Sequence, residues 1–131
     1  RMGPNGAGLV MKICHNALVS QIQNGVNETS ALAAAYGIDI LTFAEAISYG
    51  GGQNFYLDSK KAALAAEDYT TAFSIKNMHK DVHICAAMAV EAGLPMPGER
   101  AAKQVYDAAM DAGLGGEDFC ATVKIVRERK S

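Results

Sequence analysis

Between Leu9 and Val19 the chain is apolar almost without pause. Lys12, His15 and Asn16 are the only interruptions. At 3.6 residues per turn the apolar positions point in every direction, which predicts the buried centre of a long helix. That helix is expected to open on Asn5 as N-cap, just behind Pro4, and to run to Tyr36, where Gly37 stops it. Gly25 costs about 1 kcal/mol relative to alanine in a helix interior, so a break would fall there.

The remaining pattern is also helical. A second helix is predicted after Asp39 and ends at Gly50-Gly51-Gly52; a third covers roughly Asn54 to Ala65; Glu67 to Phe73 reads as loop. A fourth opens at Ser74. Its Ile75, Met78, Val82, Cys85 and Ala89 recur at spacings of three and four, a narrow seam that faces other helices, and Gly93 ends it ahead of Pro95 and Pro97. A fifth runs from Pro97 to Ala112, with Gly113 as its stop. The last starts near Asp118. Its run Ala121 to Val126 is rich in β-branched residues and would suit a strand, but a lone strand has no partner, so helix is the reading. The expectation is one all-α domain of about six helices with a long, buried first helix.

Composition narrows the chemistry. The 131 residues carry a net charge of −2 and no basic stretch, which removes the electrostatic case for nucleic acid. No apolar run reaches the ~20 residues that span a bilayer, and no signal-peptide pattern stands out. Cys14, Cys85 and Cys120 are odd in number and widely spaced, which suggests reduced thiols and a cytoplasmic setting, not a disulfide framework or zinc site. His79 and His83 are four apart, a spacing that can hold a metal, but the sequence offers no third ligand and Asp81 is off their face. No metal is expected. Glu45, Glu67 and Asp68 form no acid/base pair of the glycosidase kind.

The candidate chemistry lies in the first helix. Residues three and four apart share a helix face, so Lys12, His15 and Asn16 cluster, with Val19 a turn further. An ammonium against apolar surface loses hydration, which favours the neutral amine and makes a lysine usable as proton donor or acceptor. Asn16 can both donate and accept, which suits holding a hydroxyl or carboxylate. Gly6 and Gly8 would bring bare backbone close to a neighbour. The competing reading is that Lys12 snorkels to water and the polar pair caps a groove.

Gly3, Gly6, Gly8, Lys12 and Asn16 make a Gly-x-x-Gly-x-Gly-x-x-x-Lys-x-x-x-Asn pattern. This resembles the catalytic signature of the β-hydroxyacid dehydrogenases, the 3-hydroxyisobutyrate dehydrogenase family. Phe73 to Asp81, with Lys80-Asp81, resembles the family's second motif. Gly93-Leu94-Pro95-Met96-Pro97 and Gly113 to Asp118 resemble its closing segments. The Lys12 to Asn16 run is also similar to the Lys-x-x-His-Asn of the related 6-phosphogluconate dehydrogenase, but the position of that enzyme's decarboxylation acid is Val19 here. Simple hydride transfer is therefore the expectation.

The resemblance implies a fold of the 6-phosphogluconate dehydrogenase C-terminal type and an NAD- or NADP-dependent oxidoreductase acting on a small 3-hydroxy acid. It implies Lys12 as catalytic acid/base, Asn16, His15 and Gly8 as substrate-binding, and Lys80 and Phe73 as cofactor-binding. It covers only the helical half of such enzymes. Their other half is a Rossmann domain that holds most of the dinucleotide, with Arg1-Met2 here as the end of the junction. The chain alone is therefore expected to be inactive, to dock on that domain and to self-associate. The alternative is an all-helical oligomerisation or interaction module. Imine reductases, a related class, usually lack this lysine.

Overall fold

The computed structural model describes residues 4–128; Arg1-Met2 and Gly3 of the glycine pattern lie outside them. Local chemistry starts most helices where the sequence reading put them. α2 (Ile40–Ile47) opens behind Asp39, whose carboxylate accepts the Thr42 N–H at 2.8 Å. α3 (Phe55–Ala66) opens behind Asn54, whose Oδ1 accepts the Leu57 N–H at 2.7 Å. α4 (Ile75–Ala92) opens behind Ser74, whose hydroxyl accepts from Asn77 N–H at 3.1 Å, and closes on Gly93 at φ 73°. Each cap satisfies a first-turn donor that the helix itself leaves unpaired. α5 (Pro97–Asp111) begins on its proline. A 3₁₀ turn (Phe119–Thr122) leads into the short α6 (Val123–Val126). The β-branched run is thus helical, and the described residues contain only an isolated bridge between Ser74 and Asp118.

α1 (Pro4–Ala35) runs through Gly25 to the end expected for it, because the neighbouring Val26 and Asn27 are buried and their packing outweighs the local cost of the glycine. It departs from expectation in two ways. It begins at Pro4, so Asn5 lies inside the helix and not at its N-cap position. It is the longest helix, but it is not buried all round. Ile13 is 1% exposed and Ala17 is buried, whereas Leu9, Met11 and Leu18 are 53%, 64% and 56% exposed.

The buried face further along α1 is polar: Ser20, Gln23, Asn27 and Ser30. Burial of such groups is tolerated where every one finds a partner. Gln23 donates to the Thr122 hydroxyl and accepts from the Tyr106 hydroxyl. Asn27 donates to Thr122 Oγ1 at 3.1 Å and accepts from the Tyr56 hydroxyl at 3.1 Å. Thr122 passes its own hydrogen to the Phe119 carbonyl at 2.9 Å. One hydroxyl thus accepts twice and donates once, which uses its full capacity. These contacts tie α1 to α3, α5 and the 3₁₀ turn, while Ile75, Met78 and Val82 of α4 fill the apolar core beside them.

A second polar knot is Asp118, which is fully buried. It accepts from the backbone N–H groups of Ala72 (2.9 Å), Phe73 (3.1 Å) and Cys120 (3.1 Å), and pairs with Lys60 Nζ at 2.9 Å. It therefore joins α3, the segment that feeds α4, and the C-terminal turn.

Glu99 of α5 is buried against α1 without a cation. Ser20 has one hydroxyl hydrogen but three oxygens in reach: Ala17 O at 2.7 Å and the Glu99 oxygens at 2.9 and 3.1 Å. Burial raises the Glu99 carboxyl, against the opposing hydrogen bonds of Ser20 and Gln21. A raised carboxyl contributes stability that is complete below its unfolded value and is lost as pH rises through its folded value. Glu99→Gln, neutral throughout, is expected to raise the melting midpoint at pH 7–8 and to lose that advantage below about pH 4. Thermal melts across that range check it.

Candidate active site

α1 and α4 lie side by side, and their contact brings Asn16 onto Asp81. The Asn16 Nδ2 donates to Asp81 Oδ2 at 2.7 Å, a short, charge-assisted hydrogen bond. Asp81 is buried, on the same stripe of α4 as Met78, Val82 and Cys85. The Asn16 amide is thereby turned with its nitrogen to Asp81 and its oxygen 3.2 Å from His15 Nδ1. With the amide held this way, His15 is the donor to that oxygen. One amide hydrogen and one oxygen lone pair of Asn16 remain for a ligand.

Lys12 sits one turn N-terminal of Asn16 and is exposed. It makes no ion pair or hydrogen bond to the described residues. The apolar enclosure expected from its neighbours is not supplied by this chain, because Leu9 and Met11 beside it point outward as well. The same holds for Gly8: a Cβ placed there would meet nothing within 4 Å, so the close approach its lack of side chain permits is not to a part of this chain. This end of α1 is therefore one exposed surface of apolar side chains, a glycine and a lysine. His15 also edges a largely apolar cavity of about 540 Å³, lined by Val19, Ile22, Phe55, Tyr56 and Phe119 among others.

Lys80, next to Asp81, is exposed and likewise has no partner among the described residues. Phe73 is less available. Its ring packs edge-on to Phe119, 6.1 Å between centroids, and its N–H is held by Asp118. The cysteines are free thiols: Cys14 exposed, Cys85 and Cys120 buried. Burial, then the neighbouring Asp118 carboxylate, pushes the Cys120 thiol up to about 12, so it is inert. No helix of the described residues is long and apolar enough to cross a membrane.

Asp81 is the residue whose part in the site the spacing analysis missed. A signal was there, since it falls three after Met78 and one before Val82, an acid on an apolar stripe. That position demands a partner, although the stripe alone does not say which.

Residues 6–126 match the family described as "NAD-binding of NADP-dependent 3-hydroxyisobutyrate dehydrogenase". The chain belongs to this family. Among its relatives is the glyoxylate/succinic semialdehyde reductase 1 of Arabidopsis thaliana, 28% identical over 96% of this chain and 44% of that protein. The 3-hydroxyisobutyrate dehydrogenase of Pseudomonas aeruginosa is 30% identical over 95% of this chain and 45% of its own length. The crystal structure of 3-hydroxyisobutyrate dehydrogenase from Salmonella typhimurium superposes with a TM-score of 0.87 at 28% identity, over 92% of this chain and 42% of that one. The chain thus spans less than half the length of these relatives. NAD or NADP is the family's cofactor, and the all-α fold is that of its helical domain.

Proposed function

We propose that this chain is the helical, substrate-facing domain of an NAD(P)-dependent oxidoreductase that moves hydride between a small 3-hydroxy acid and the nicotinamide. The observation that carries the reading is the pairing of α1 and α4. It presents Lys12 and an Asn16 amide locked by buried Asp81 on one face. Asn16 holds the substrate hydroxyl or carboxylate through its free N–H and lone pair, with His15 beside it. Lys12 Nζ takes the hydroxyl proton in oxidation and returns it in reduction. When bound, the nicotinamide supplies the acceptor or donor of hydride.

The residues present fit one part of that cofactor and not another. Lys80, one residue before Asp81 on α4, offers an exposed ammonium with no partner among the described residues, suited to an anionic or carbonyl group. Nothing among the described residues forms a phosphate-cradling turn, since Gly6 and Gly8 lie inside α1. We therefore assign the pyrophosphate to a preceding Rossmann domain, in keeping with the share of its relatives that this chain spans. Docking of that domain, or of a second copy, on the exposed Leu9, Met11 and Leu18 would supply the dry surroundings that Lys12 lacks here.

The test is to assay the protein joined to its dinucleotide-binding domain against a panel of small 3-hydroxy acids with NAD and NADP. Turnover is expected with the joined protein and not with the chain alone. Sedimentation of the chain alone is expected to show a dimer or larger. Turnover by the chain alone, or none by the joined protein on any hydroxy acid, would sink the reading. A strict monomer at high concentration would remove self-association from it and leave the module alternative without support as well.

A further inference from the structure

We propose that His79, His83 and Asp107 form a binding site for a divalent transition-metal ion of the zinc class, bridging α4 and α5. The two histidines are one turn apart on α4, with ring centroids separated by 4.2 Å. Their Nε2 atoms converge on a single carboxylate oxygen of α5: Asp107 Oδ1 lies 2.9 Å from His79 and 2.7 Å from His83. All three ligand-type atoms fall within 4.8 Å of one another. Asp107 is the third group that spacing along α4 alone could not reveal.

Two imidazoles can meet one carboxylate oxygen in this way only if each nitrogen carries a hydrogen. A cation at the point of convergence takes the place of both hydrogens. Ligands about 2.0–2.1 Å from a tetrahedral ion stand roughly 3.3–3.5 Å apart. The two nitrogen–oxygen separations, 2.9 and 2.7 Å, need to widen by roughly 0.4–0.8 Å to reach it, a change open to side-chain rotation at these partly exposed residues. The other Asp107 oxygen accepts from Lys103 Nζ at 3.1 Å, which holds the carboxylate plane as outer-shell partners of metal ligands do. A carboxylate ligates in its ionised form, the ordinary form of an aspartate at neutral pH. The Lys103 charge opposes a cation, but both groups are partly exposed and solvent screens that repulsion.

Two nitrogens and one oxygen select the ion. Imidazole suits zinc, cobalt, nickel and copper, whereas magnesium and calcium take oxygen ligands. Three protein ligands with His83 at the surface leave the fourth position to water. The site is separate from the Asn16–Asp81 pair and does not depend on the dehydrogenase reading. Its physical effect is to clip together the two helices that carry Lys80 and the buried Glu99.

The experiment uses untagged, chelator-treated protein, titrated with Zn²⁺ by calorimetry and with Co²⁺ by visible absorption. The expected result is one ion per chain, with Co²⁺ bands of a four- or five-coordinate site. Zinc at ~100-fold excess over its Kd should raise the melting midpoint by roughly 5–10 °C. His83→Ala, an exposed position that leaves the fold intact, and Asp107→Asn should each weaken binding at least ~10-fold. His15→Ala, which alters the histidine outside the cluster, should bind as the parent does. No band and no midpoint shift at about 1 mM metal overturns the proposal. So does binding that survives His83→Ala, which would mark adventitious surface binding only.

Discussion

In the complete enzyme, Lys12→Ala is expected to lower turnover by roughly 10²–10⁴-fold, the range of a positioned general acid–base group. That corresponds to about 2.7–5.4 kcal/mol of transition-state stabilisation. Cofactor affinity should change little, because nothing among the described residues places Lys12 at a phosphate-binding turn. Lys12→Arg keeps the positive charge but cannot exchange its proton near neutral pH, so it should lose nearly as much. If arginine restored most of the activity, the residue would act by charge alone. Asn16→Ala should behave differently. It removes the substrate contact proposed for this amide and also strands the buried Asp81 carboxylate, so KM should rise with the fall in kcat. It should also cost about 1–3 kcal/mol in stability. Steady-state kinetics of the three variants separate these outcomes, and near-full turnover in Lys12→Ala would leave that residue a surface lysine.

The largest effect on stability is expected at Asp118. Asp118→Ala removes the acceptor of three backbone N–H groups and of the largely buried Lys60, which is 16% exposed. Breaking a buried pair from one side typically costs about 3–5 kcal/mol, a large fraction of a domain's total stability. Asp118→Asn keeps one acceptor oxygen and should lose less. The pH dependence has a definite sign. Burial raises the Asp118 carboxyl, but hydrogen bonding by Cys120 and Ala72 and the contact with Lys60 outweigh it and hold it below its ordinary value. A lowered carboxyl contributes stability that is present above its unfolded value and lost as pH falls through the folded one. Wild-type stability should therefore decline from about pH 4 downward, and Asp118→Asn should decline less steeply there. Denaturant unfolding at several pH values measures both. A loss under about 1 kcal/mol for Asp118→Ala would show that water or a rearranged loop satisfies the orphaned donors.

The elements that were legible in the sequence are those whose causes are local. Asp39, Asn54 and Ser74 each cap a helix by bonding an N–H three residues on, and Gly37, Gly93 and Gly113 each take the positive φ that a helix end favours. The shared face of Lys12 and Asn16 follows from helical periodicity alone. The α1 surface could not be read the same way. Hydropathy ranks Leu9 and Met11 as core and Gln23 and Asn27 as surface, and the structure reverses both. The reversal rests on Thr122, Tyr106 and Tyr56, partners far along the chain that satisfy the buried polar face.

By itself, then, the sequence determined the helices, most of their ends and the lysine–asparagine face of α1, because these depend on residues within a turn or two of one another. Only the tertiary structure decided which face of α1 is buried, that Asp81 holds the Asn16 amide, that Asp118 joins three segments and that Asp107 meets His79 and His83. Each of those is a polar contact between residues far apart in the chain. The energy of such a contact depends on whether a partner stands within hydrogen-bonding distance, which composition and spacing do not encode.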